Sequence, residues 1–131
     1  MSWQTIIAIG SGGFIGAVGR AYLSGLIDRN MAHELSFGTL GVNIIGSLVL
    51  GILLAFFTYT ELFSTPMKFF LSTGMMGALT TYSTFAIETF WLLNSGSFVL
   101  GLINIVLNVI LAIVSAGAGF KAMEYFFKAF L

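Results

Sequence analysis

Four long apolar stretches separated by three short polar patches set the pattern of the chain. The stretches fall at residues 3–27, 37–60, 67–93 and 98–126. A bilayer core needs about 20 apolar residues per helix, so each stretch is long enough to cross once. The patches are Asp28-Arg29-Asn30 to His33-Glu34, Thr60-Glu61 to Ser64-Thr65-Pro66, and Asn94-Ser95-Gly96-Ser97. In the second patch Thr65 is expected to cap the third helix, with Pro66 at its first position. The pattern predicts an all-α membrane protein, one four-helix transmembrane domain over residues 1–131, with both termini on one side.

The third stretch departs from the pattern in its middle. Gly74-Met75-Met76-Gly77-Ala78-Leu79-Thr80-Thr81-Tyr82-Ser83-Thr84-Phe85 carries two glycines and four hydroxyl residues among five positions. Glycine lowers helix stability, and Ser and Thr hydroxyls compete for the backbone. The third helix is therefore expected to break here. Opened backbone at that depth persists only where protein buries it or water reaches it, so the break is where an ion site belongs.

Composition agrees with a membrane protein. Of the 131 residues, 58% are hydrophobic and 8% charged, and mean hydropathy is +1.03; a soluble domain carries about 25% charged residues. With no cysteine there is no disulfide framework or thiolate centre. The one histidine, His33, lies in a polar patch, and no His/carboxylate zinc set can form within one copy. Zero net charge argues against a nucleic-acid partner. Met1-Ser2-Trp3-Gln4 has no basic region, and the run behind it is too long for a signal peptide, so it reads as a retained span. No nucleophile–His pair lies in a span, and nothing in the chain reads as an enzyme.

Lys and Arg set orientation, and here they barely differ between the sides. Lys68, Lys121 and Lys128 stand against Arg20 and Arg29. This balance predicts insertion both ways round; a single orientation fixed by a subtler signal is the alternative. Gly12 with Gly16, Gly13 with Ala17 and Ser115 with Gly119 are small pairs of the kind that let helices approach closely. Together with the small size of the chain they favour a homodimer, antiparallel if the copies insert oppositely, with the two breaks meeting at its centre.

Polar groups inside spans usually face protein or water. Here they are Arg20, Asn43, the Thr80–Thr84 cluster, Glu88, Asn104 and Asn108. Asn104 and Asn108 share a helix face, as do Thr81, Thr84, Phe85 and Glu88. Hydroxyl and amide donors, and the positive edges of aromatic rings, attract an anion without holding it as a full charge would. Each residue also has a plainer role. The asparagines and the Ser/Thr run can bridge helices, Tyr82 and Phe85 can simply pack, Glu88 can be an interhelical hydrogen-bond partner, and Arg20 can snorkel to the interface.

Three motifs resemble those of the CrcB/Fluc fluoride channels. Gly12-Gly13-Phe14-Ile15-Gly16-Ala17-Val18-Gly19-Arg20 is similar to GGxxGAxxR, Gly38-Thr39-Leu40-Gly41-Val42-Asn43-Ile44-Ile45-Gly46 to GTLxVNxxG, and Gly74 to Phe85 with Glu88 to GxxGxxTTFSTFxxE. The fourth span is similar only in character. The resemblance implies a dual-topology homodimer in the plasma membrane of a prokaryote, the inner membrane if Gram-negative. Such proteins export fluoride passively from the cytoplasm through two pores at the dimer interface. It also implies a structural sodium ion (Na+) at the dimer centre, held by the backbone carbonyls of Gly77 and Thr80. Carried over residue by residue, Tyr82 and Phe85 take the places of two pore phenylalanines and Asn43 that of the pore amide. Ser83, Thr84 and Glu88 become polar lining, Arg20 an anion-attracting vestibule arginine, and Asn104 and Asn108 a polar track. Two positions depart from the motif: Tyr82, where Phe is usual, and Ala78, where Gly is usual. A competing class is the small proton-coupled multidrug or guanidinium exporter, whose coupling carboxylate is expected in the first span; here the membrane carboxylate is Glu88, in the third. A third class is a non-transporting membrane assembly subunit, which predicts no flux.

Overall fold

Ser2 and Ser36 open the first two helices by the same device. In the computed structural model, which describes residues 1–131, the Ser2 hydroxyl accepts from the Thr5 N–H (3.2 Å) at the start of α1, Trp3–Asn30. The Ser36 hydroxyl accepts from the Thr39 N–H (3.2 Å) at the start of α2, Phe37–Tyr59. Each satisfies one of the orphan donors of a helix N-terminus. The Asp28 carboxylate, in the last turn of α1, adds to the second by accepting from the Gly38 N–H (2.7 Å). An anion at that end of α2 also complements the helix dipole.

The third crossing starts one residue earlier than expected. Ser64, not Thr65, is the N-cap of α3, Thr65–Phe69, and it makes no side-chain cap bond. Pro66 falls just inside the helix, where its missing N–H has no intrahelical acceptor to serve. A π-helical segment, Phe70–Met76, follows, then the single turn α4, Gly77–Leu79. Thr80 (φ −80°, ψ 156°) and Thr81 (φ −147°, ψ 111°) are extended. The chain then resumes as α5, Tyr82–Asn94, and ends with α6, Phe98–Phe130. The expected break is thus present, near the middle of the third crossing. Three helices, α1, α2 and α6, are each long and apolar enough to cross a membrane. The 13-residue α5 spans only about 20 Å, short of the ~30 Å hydrocarbon core.

The small residues pack helices within one chain. A Cβ on Gly12 would land on the Phe70 carbonyl, and one on Gly16 on the Met75 carbonyl, so α1 lies backbone to backbone on the π-helical segment. A Cβ on Gly74 would come within 2.8 Å of the Ile9 carbonyl from the other side. Gly51 of α2 faces the Ala116 carbonyl of α6, and Gly119 of α6 faces the Leu48 carbonyl of α2. The pairs Gly12/Gly16 and Ser115/Gly119, read from sequence as support for a dimer, thus place their glycines in contacts inside a single copy. Gly13 is different: nothing lies within 4 Å of its Cβ position.

Helix α6 runs past residue 126, to Phe130. Lys121, Glu124 and Lys128 share one of its faces. Glu124 accepts from Lys121 (2.6 Å), from Lys128 (3.2 Å) and from the Tyr59 hydroxyl (2.7 Å). These bonds give the last turns their own polar support and tie them to the end of α2.

Candidate functional site

Asn43 of α2 and Asn108 of α6 gather at the break beside Thr80 and Thr81. Asn43, buried on α2, reaches the break with both ends of its amide. Its Oδ1 accepts from the Thr81 N–H (2.7 Å), and its Nδ2 donates to the Thr81 carbonyl (3.1 Å) and to Asn108 Oδ1 (3.0 Å). The Thr81 hydroxyl caps α5, accepting from the Thr84 N–H (3.2 Å) and bonding the Thr84 hydroxyl (2.9 Å). Side chains therefore replace helical bonds on both sides of the break.

The break frees the carbonyls that precede it. In an unbroken helix the Thr81 N–H would bond the Gly77 carbonyl and the Thr84 N–H the Thr80 carbonyl. Here the first goes to Asn43 and the second to the Thr81 hydroxyl. The Thr80 N–H still bonds Met76 (3.1 Å). The carbonyls of Gly77 and Thr80 are thus left without helical partners, and so are those of Ala78 and Leu79 between them, because the N–H groups of Tyr82 and Ser83 open α5 beyond the extended pair. Gly77 is exposed on this copy and Thr80 half-buried.

Beside the break lies a cleft of about 300 Å³ lined by Asn43, Ser47, Thr80, Tyr82, Phe85 and Asn108, among others. Phe85 is buried, whereas Tyr82 is 79% exposed. Their rings meet edge to face, with centroids 5.4 Å apart. Within this copy the Tyr82 ring is therefore held mainly by Phe85, on the open side of the cleft.

A second cavity, also about 300 Å³, lies farther along α5, lined by Glu34, Ser36, Glu88, Trp91, Ser95 and Asn104, among others. Here the Thr39 hydroxyl donates to Glu88 Oε1 (2.7 Å), tying α2 to α5, while Glu88 Oε2 is buried without a partner. The interhelical bond expected as the plainer role of Glu88 is present, and one carboxylate oxygen remains uncommitted. Asn104 and Asn108 are both buried on α6. Asn108 Nδ2 donates to the Asn104 carbonyl (3.0 Å) and to Asn104 Oδ1 (3.1 Å), and Asn104 Nδ2 donates to the Thr89 hydroxyl (2.9 Å). Asn108 lines the first cavity and Asn104 the second.

Four of the residues singled out from sequence stand apart from both cavities: Gly77, Ser83, Arg20 and Thr84, the last bonded to the Thr81 hydroxyl. Gly77 and Ser83 are exposed, and Arg20 is half-buried on α1. The ion pairs of the chain join Glu124 to Lys121 and Lys128, which leaves the Arg20 guanidinium without a carboxylate. Ala78 sits in α4 ahead of the break, its Cβ 3.1 Å from where a Cβ on Gly16 would be, so its methyl packs on α1. Thr39, Ser47 and Thr89 were not singled out. Thr39, Asn43 and Ser47 are four apart on one face of α2, and Thr89 continues the face of Thr81 and Phe85 at the same spacing. That periodicity was the available signal.

The family model described as CrcB-like protein, Camphor Resistance (CrcB), matches residues 7–120. The chain is 60% identical over 129 residues to a Sulfurimonas denitrificans protein named fluoride-specific ion channel FluC, covering 98% of this chain and 100% of that one. A protein of the same name from Nautilia profundicola is 48% identical over 128 residues, with 98% and 100% covered. Another, from Campylobacter jejuni, is 41% identical over 117 residues, with 89% and 95% covered. Matched by the family model over all four helical regions and aligned with relatives almost end to end, the chain belongs to the CrcB-like family.

Proposed function

We propose that this protein is a multi-pass membrane channel that passes fluoride passively and selectively, and is not an enzyme. The observation that carries the reading is the cleft at the break, where neutral amide and hydroxyl groups from α2, α5 and α6 stand beside two aromatic rings. The hydroxyls can replace part of the hydration shell of a small anion without trapping it, and the amides, whose protons are directed at protein acceptors, add oriented dipoles. The relatives named fluoride-specific ion channels support fluoride as the ion.

Finer features belong to the same proposal. Tyr82 and the cleft it borders are open on this copy, which fits a second copy completing the path. The balanced Lys/Arg distribution supports an antiparallel pair, with two pores along the interface. Asn43, Tyr82, Phe85 and Asn108 would line the narrow part, with Thr84, Glu88 and Asn104 farther along and Ser83 facing the partner. Arg20, with no carboxylate beside it, would draw anions to the entrance. The freed carbonyls of Gly77 and Thr80, two from each copy, suit a hard cation such as sodium. Unpartnered carbonyls in a dry centre are costly, and the ion would neutralise them and hold the break open. The membrane would be the plasma membrane, the inner one in a Gram-negative cell.

The exporter reading needs a carboxylate within the first span. Asp28, the acidic residue of α1, lies in its last turn and holds the start of α2. The test is efflux from liposomes loaded with fluoride and chloride, each followed with a selective electrode. Fluoride should leave without a proton gradient and chloride should stay. Comparable chloride efflux, or fluoride flux that requires an imposed pH gradient, would overturn the proposal.

A further inference from the structure

Five buried polar residues form one hydrogen-bond chain that starts on α5, at Thr89, and ends at its N-cap, Thr81. At one end the Thr89 hydroxyl donates to the Phe85 carbonyl (2.8 Å). With its proton committed there, the Thr89 oxygen accepts from Asn104 Nδ2 (2.9 Å). Asn104 Oδ1 therefore faces Asn108 Nδ2 (3.1 Å), and Asn108 Oδ1 faces Asn43 Nδ2 (3.0 Å). At the other end Asn43 Oδ1 accepts from the Thr81 N–H (2.7 Å). Thr89, Asn104, Asn108, Asn43 and Thr81 are all buried, away from competing solvent. Backbone groups fix the direction at both ends, a carbonyl at Phe85 and an N–H at Thr81, and every contact between them pairs a donor with an acceptor.

The geometry points to Thr89 as a positioning residue that sets, through Asn104 and Asn108, which way the Asn43 amide faces. Without the Thr89 oxygen, Asn104 Nδ2 has no acceptor. Turning Asn104 over would set its Nδ2 against Asn108 Nδ2, and the conflict would pass to Asn43 and end with Nδ2 facing the Thr81 N–H. A buried amide in low dielectric does not tolerate an unpaired donor cheaply, so the strain reaches the break. Asn108 then serves the cleft through Asn43: both of its amide protons are already directed at Asn104. The effect on transport rests on the fluoride-channel reading above; the relay itself does not.

The test uses the full chain, ¹⁵N-labelled in lipid nanodiscs, with the side-chain amide resonances of Asn43 and Asn108 assigned by single Asn→Asp variants. Thr89→Val keeps the shape and removes the oxygen; Thr89→Ser keeps the oxygen. The valine variant should move the amide resonances of Asn43, which Thr89 does not touch, and slow fluoride efflux about tenfold, the scale set by one lost buried hydrogen bond. Serine should restore both. Unmoved Asn43 resonances in the valine variant, or a serine variant that behaves like valine, would overturn the relay. Should the valine variant not fold, the unmodified protein decides. The Asn108 side-chain amide should exchange with deuterium at least about a hundredfold more slowly than that of exposed Asn94, and equal exchange would refute the relay. Unmodified protein that passes no fluoride in the same vesicles would remove the channel reading, leaving the relay to the resonances.

Discussion

Replacing Asn43 by alanine should close the break that it holds open. The side chain makes three hydrogen bonds, one accepted from the Thr81 N–H and two donated, to the Thr81 carbonyl and Asn108 Oδ1. Orphaning a buried N–H costs about 1–3 kcal/mol, and each of the other two bonds contributes about 0.5–1.5 kcal/mol net. The groups share one network, so the sum is not additive, and a loss of about 3 kcal/mol is expected. The chain has a local way to recover part of it. The Thr81 N–H can return to the Gly77 carbonyl, as an unbroken helix would have it, which removes one of the two freed carbonyls proposed to hold sodium. Asn43→Ala should therefore lose thermal stability in detergent, lose any stabilisation by sodium over a large organic cation, and lose at least tenfold in fluoride efflux. Asn43→Asp separates the two roles. Its carboxylate can still accept from the Thr81 N–H, which keeps that group off the Gly77 carbonyl and the response to sodium in place. Its other oxygen meets the Thr81 carbonyl and Asn108 Oδ1, so part of the stability should be lost, and a negative charge in the cleft should repel fluoride. An alanine variant within about 0.5 kcal/mol of the parent that also passes fluoride at the parent rate would refute the reasoning.

Other positions give sharper contrasts. Gly16→Ala would drive a methyl into the Met75 carbonyl and should destabilise by about 1–3 kcal/mol, whereas Gly13→Ala meets open space and should be neutral or slightly stabilising; equal melting temperatures for the two would contradict the packing of α1 on the π-helical segment. Cysteines placed singly at Ser95 or Ser97, in a chain with none of its own, should label from both sides of the membrane in cells, and labelling from one side alone would rule out dual topology. Tyr82→Phe should pass fluoride faster than the parent, because the phenol adds a donor and bulk beside the cleft and no group of this chain takes up its hydroxyl; equal efflux in the same liposomes would show that the hydroxyl has no part in the path.

Sequence carried the architecture because bilayer physics acts on composition. Spans must be apolar and long, and the polar patches at residues 28–34 and 94–97 had nowhere else to go. The break was legible for a related reason: two glycines and four hydroxyls at mid-membrane are hard to explain in a straight helix. What stayed hidden was set by contacts between distant residues. Gly12 and Gly16 carry the same signal whether they meet a second copy or the π-helical segment of their own, and only the fold shows that the Phe70 and Met75 carbonyls fill the space. The π-helical turn itself leaves no mark in the residues 70–76.

The asparagines show the same limit in the site. Asn43, Asn104 and Asn108 could each face an ion or bridge helices, and no spacing rule decides between the two. In the structure the alternatives are not exclusive. Asn43 bonds three groups across two elements and still borders the cleft, and Asn108 does the same from α6. If the cleft passes an anion as proposed, an amide tied at several points acts on it through a dipole oriented before the ion arrives, since its own protons are directed at protein acceptors. Thr89 acts two residues removed from the cleft, through Asn104. A hydroxyl that touches no ion leaves no chemical signature in sequence beyond its place on the Thr81–Phe85 face. The groups that make such a site selective are thus legible in sequence as donors, while those that hold the donors still are legible only in the fold.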